Sequence, residues 1–166
     1  MRKLFAAFAA LTLYAGAASA AGPTVQFPNS PWKGSAPARI QCGWLQSANM
    51  NSTADQAIPI SVPSSTYMLD SIVISNASVS LSTAAGGFYT AASKGGTTLV
   101  ANTQAYSTLT AAAVNAAGSS MSATLGTGAT TSALNASPIY FSLTTGQGAA
   151  ATADIRVYCR PLYPTR

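Results

Sequence analysis

The chain contains no histidine and no glutamate. General acid–base work would therefore fall to three aspartates (Asp55, Asp70 and Asp154) or to tyrosine, lysine or cysteine. Serine and threonine abound, but a serine nucleophile needs an activating base, and the usual histidine is missing. A Ser–Lys pair would need Lys33 or Lys94, and both stand in Pro- or Gly-rich surroundings that read as turns. These gaps argue against an enzyme. Gly146-Gln-Gly148-Ala-Ala-Ala151 has the spacing of a dinucleotide fingerprint. That fingerprint also needs a helix after the glycines and an acidic residue about 20 positions on. Here a strand-like run follows almost at once, so the segment reads as an inter-strand loop.

Binding chemistry is only slightly better supplied. Asp70 and Asp154 could ligate calcium, but two isolated carboxylates far apart in sequence read better as solvent-facing strand charges. No metal and no cofactor is expected. Asn51-Ser-Thr53, Asn76-Ala-Ser78 and Asn135-Ala-Ser137 have the form of glycosylation sequons. Asn76 lies between strand-like runs, where asparagine suits a turn. Trp32, Trp44, Tyr89 and Tyr106 are the candidate ligand-contact aromatics, with Tyr67 beside them. Gathered on a β face they would stack against a sugar; turned inward they would fill the core or its rim, the commoner fate of such rings.

The elements that must carry these residues begin after a leader. Arg2 and Lys3 precede an uncharged apolar stretch, Leu4 to Tyr14, and then small residues ending in Ala18-Ser19-Ala20. This is the pattern of a cleavable signal peptide over residues 1–20, too short for a spanning helix of roughly 20 apolar residues. Export is expected, with no membrane span in the mature chain. Beyond the leader, six basic residues face three acidic ones, a net +3. They form no basic stripe of the kind a nucleic-acid footprint needs. Cys42 and Cys159 are the two cysteines. An oxidising compartment favours a bridge between them over two free buried thiols.

Residues 21–38 read as an extended arm. Pro23, Pro28, Pro31 and Pro37 forbid a helix or a central strand there. From residue 39 to 166 the pattern is β. Ile58 to Val62, Tyr67 to Ser80, Thr97 to Leu109, Met121 to Leu125, Ile139 to Leu143 and Ile155 to Tyr158 read as strands, with Ile72, Ile74 and Val79 as core candidates. Gly86-Gly87, Lys94-Gly95-Gly96, Gly126-Thr-Gly128 and Gly146-Gln-Gly148 punctuate them as turns. Thr110 to Ala117 is Ala-rich and reads as a short helix closed by Gly118. The 10–15-residue helices of a βαβ fold are missing.

Two segments, Ile72-Val-Ile-Ser-Asn-Ala-Ser-Val-Ser-Leu-Ser-Thr-Ala-Ala-Gly-Gly-Phe-Tyr-Thr-Ala-Ala-Ser-Lys-Gly-Gly96 and Ile139-Tyr-Phe-Ser-Leu-Thr-Thr-Gly-Gln-Gly-Ala-Ala-Ala-Thr-Ala-Asp-Ile-Arg-Val-Tyr158, resemble parts of small phage and prophage virion-surface structural proteins. The resemblance runs over Thr66 to Leu109 and Pro138 to Leu162, a bit under half of the chain beyond the leader. It implies a jelly-roll-like domain in a decoration, spike or tail-associated component, self-assembly or host-surface contact, and no catalytic residues. The expected protein is thus all-β: a single β-sandwich, jelly-roll-like, following a Pro-rich arm. It is exported and non-enzymatic, and it associates with itself or with a larger assembly. The alternative is a secreted carbohydrate-binding or adhesin module that meets a cell-surface glycan.

Overall fold

The computed structural model describes residues 38–163 apart from residue 115. The expected leader, nearly all of the expected arm, and Trp32 lie outside the described residues. Eight strands and one short helix follow in chain order. They are β1 (Ile40–Asn49), β2 (Gln56–Ile58), β3 (Thr66–Ser75), β4 (Ala85–Ala91), β5 (Gly95–Val100), β6 (Met121–Ser122), α1 (Thr127–Thr131), β7 (Ile139–Thr145) and β8 (Thr152–Leu162).

Alternation of apolar and polar residues explains the strands. Along β8, Ala153, Ile155, Val157 and Cys159 point inward, while Asp154, Arg156, Tyr158 and Arg160 point outward. β3 alternates likewise, and a bulge between Leu69 and Ser71 resets its phase at Asp70. The strands pair antiparallel as β1 with β8, β2 with β7, β3 with β6 and β4 with β5, so that each pair's numbers add to nine. A ribbon of paired strands has been rolled. Its first and third pairs join through β8 and β3, and its second and fourth through β7 and β4. The result is two four-stranded sheets, β1-β8-β3-β6 and β2-β7-β4-β5. That order is the double Greek key of a jelly roll.

The sheets close over one apolar core. Phe141 of β7 is fully buried, with the Phe88 ring centroid 5.0 Å away and Tyr106 edge-on at 5.9 Å. Tyr106 enters this core carrying a hydroxyl, which donates to Gly86 O at 3.0 Å. Burial pushes its pKa up, with a smaller push from Tyr89. Changing Tyr106→Phe should remove that donor and cost about 1–2 kcal/mol. A urea titration of the two proteins checks this, and an unchanged midpoint would refute the role given to the hydroxyl. Cys42 and Cys159 are bonded across β1 and β8, with Cα atoms 5.7 Å apart.

Several expected elements differ. Gly86 and Gly87 are inside β4 rather than at a turn. A Cβ on Gly86 would sit 2.5 Å from both Leu143 Cα and Ser142 O, so glycine is there for close approach of β7. The strand expected to run to Leu109 stops at Val100; Tyr106 and Leu109 are buried from irregular chain instead. β2 is only three residues long, with Ile60 continuing it as an isolated bridge to Gly43. Val79 is exposed, not core. The Ala-rich run from Thr110 is not helical: Ala113 and Ala116 exchange backbone hydrogen bonds and put Val114 at an exposed tip. A run that short, with no tertiary face to bury, gains too little to hold a helix. The single helical turn that does form, α1, opens at the glycines expected to be a turn.

Candidate functional site

Charge is segregated between the two outer faces. Among the described residues, Arg39, Arg156 and Arg160 accompany Asp70 and Asp154 on the β1-β8-β3-β6 side. Asp70 receives Arg160 at 2.6 Å and Arg39 at 3.1 Å. Arg39 also lies 4.1 Å from the centre of the Tyr158 ring. Asp154 accepts the Ser47 amide at 3.0 Å and the Asn76 side chain at 2.8 Å, with Arg156 4.0 Å away. Ser47 and Asn76 both have positive φ, 53° and 54°, so Asp154 fastens the β1 bulge and the turn after β3. Asn76 is the turn residue its sequence context suggests. Both carboxylates are thus engaged by protein donors on strand faces. Among the described residues no three His, Cys, Asp or Glu side chains gather as a metal site.

The candidate aromatics do not assemble into one platform. Trp44 is on β1, 48% exposed, with the Arg156 guanidinium 5.9 Å from its ring centre. Tyr106 is core. Tyr89 is 3% exposed and belongs to the other sheet. The cause is topology: Trp44 and Tyr89 fall in different sheets, and Tyr106 enters the core from irregular chain after β5. Tyr158, which was not among the candidates, is the ring that joins Trp44 on the arginine face.

The β2-β7-β4-β5 side carries the remaining charges among the described residues, Asp55 and Lys94. Here β4 and β5 are joined by a two-residue turn, in which Gly95 N donates to Ala92 O at 3.0 Å and Ser93 and Lys94 have φ of 57° and 58°. This is a primed hairpin turn made without the usual asparagine or glycine, at some steric cost for side-chain-bearing residues. The Asp55 carboxylate offsets that cost by accepting the Ser93 amide. The register of β2 on β7 pairs Gln56 with Phe141; extended by one residue, it sets Asp55 beside Ser142. Tyr89 of β4 pairs with Tyr140 of β7 in the same sheet. Its pKa is raised by burial and then by the Asp55 carboxylate.

These groups line a recess of about 330 Å³ formed by Thr53, Ala54, Asp55, Ser93, Lys94 and Ser142. Ser142 is 1% exposed, and its hydroxyl has no hydrogen-bond partner among the described residues. Such a buried group ordinarily costs about 1–3 kcal/mol. A second recess, of about 250 Å³, lies beside Ile60, Tyr67 and Ser137. Three of its hydroxyls are already committed. Ser137 Oγ donates to Ile60 O, Ser64 Oγ to Thr66 O, and the Tyr67 hydroxyl to Ala136 O. Burial pushes the Tyr67 hydroxyl up to about 12. Only the first recess combines an uncommitted hydroxyl with charge. Sequence reading missed Ser142, because nothing local separates it from the many other serines.

Comparison with protein-family models, with curated proteins and with solved structures finds no match for this chain. Among the described residues no helix is long and apolar enough to cross a membrane.

Proposed function

We propose that this is an exported, non-enzymatic structural subunit whose jelly roll packs into a particle or surface structure, such as a phage-type decoration, spike or tail-associated component. The observation that carries the reading is the charge-poor flank of β2-β7-β4-β5. Interface centres are depleted of charge because charged groups are costly to desolvate, and this flank presents Ala57 and Thr98 where the opposite sheet presents arginine and aspartate. The buried disulfide supports an oxidising compartment. The jelly-roll order supports the kinship suggested by the Ile72–Gly96 and Ile139–Tyr158 segments, since capsid domains use this order, as lectins do.

Light scattering across a concentration series, with negative-stain imaging, tests it. The expected result is regular oligomers that Thr98→Glu disperses and Gln41→Glu, on the opposite sheet, does not. A protein that stays monomeric at every concentration, or oligomers indifferent to Thr98→Glu, would overturn the reading.

A further inference from the structure

We infer that the Asp55–Ser142 recess binds a neutral saccharide unit through its hydroxyl groups. The chemistry of the recess selects the class. Asp55 offers only acceptors, and one of its oxygens already holds the Ser93 amide. Lys94 offers only donors. An anionic ligand would meet the Asp55 carboxylate, and a cationic one would meet the Lys94 ammonium, so the fitting ligand is uncharged. At the floor the Ser142 hydroxyl is able both to donate and to accept, and it is buried without a partner among the described residues. The group that answers all three is itself a hydroxyl, donor and acceptor at once. Adjacent hydroxyls on one ring would span the floor and the rim together. A recess of about 330 Å³ stands at the small end of ligand sites, about 300–1,000 Å³, which suits one sugar ring rather than a chain. Ala54 is the one apolar side chain among the lining residues, so orientation comes from hydrogen bonds rather than from stacking. None of the candidate aromatic residues is among the residues lining the recess.

The inference is independent of assembly. Saturation-transfer NMR on the full chain with methyl glycosides of glucose, galactose, mannose and N-acetylgalactosamine tests it, with glycine and inorganic phosphate as competitors. At least one glycoside should receive saturation, and neither competitor should displace it. Ser142→Ala removes the uncommitted hydroxyl without opening the fold, so its melting temperature should hold or rise while affinity falls about tenfold. Asp55→Asn and Lys94→Ala should weaken the same glycoside. Lys94→Ala lies on an exposed turn and keeps the test valid should the Asp55 variant unfold. Silence from all four glycosides, displacement by glycine or phosphate, or affinity unchanged in Ser142→Ala would each overturn the proposal. Oligomers seen by light scattering alongside such silence would leave the assembly reading standing and the sugar site refuted.

Discussion

Replacing Cys42 and Cys159 together by alanine is expected to lower the unfolding free energy by about 5 kcal/mol. The two residues are 117 positions apart in sequence. Without the bond, the unfolded chain regains the freedom of a loop longer than a hundred residues, and the folded state gains nothing in return. Both side chains are buried, at 4% and 0% exposure, so truncation to alanine adds a small packing loss. Domains of this size are stable by about 5–15 kcal/mol in all, so the loss takes a third or more of the whole. Urea denaturation of the oxidised, reduced and double-alanine proteins measures it. The midpoint should fall in both bond-free forms, and the slope should steepen as the unfolded state expands. Coincident curves for all three would show that the bond constrains nothing. The same magnitude explains why this fold suits an oxidising compartment: under reducing conditions the domain would begin near the edge of stability.

The second large effect belongs to Phe141. Phe141→Ala should cost about 3–5 kcal/mol. The ring lies at the centre of the core, on a strand flanked by β2 and β4, and it touches rings on two other segments. Its removal leaves a cavity that two sheets tied by paired strands cannot collapse to fill. Phe141→Leu retains most of the volume and should cost no more than about 1.5 kcal/mol. Both are read by chemical denaturation with the disulfide intact. A cost below that of the leucine variant would mean that the core repacks freely. Ser142 follows Phe141 on β7, so the alanine variant should also loosen the recess on the outer face.

Much of this fold is legible in the residues. β8 shows its alternation so plainly that its inward and outward faces can be assigned by eye, and Asn76 announces a turn. The cysteines announce a bridge between an early strand and the last one. Three kinds of feature are not legible, each for a physical reason. Bulges such as those at Ser47 and Asp70 change which side chains share a face, and they depend on what the partner strand requires. Gly86 and Gly87 look like a turn because glycine is tolerant; only the approach of β7 to Gly86 and of the end of β5 to Gly87 shows that they are there to make room. The recess depends on the pairing of β2 with β7, which joins Asp55 to a serine far along the chain. Nothing near Ser142 in sequence marks it, whereas the missing histidine and glutamate are visible at once.

The bond between Cys42 and Cys159 also decides where a mechanical load would travel. It joins the strand by which the chain enters the jelly roll to the strand by which it leaves, close to the outer limits of both. If the segments before β1 and after β8 were each anchored to neighbours and pulled, only the few residues outside the two sulfurs could peel away. Beyond that, tension would pass from one sulfur to the other and bypass the sheets. Everything between the cysteines, the core and the Asp55–Ser142 recess included, would remain slack under a force sufficient to stretch its attachments.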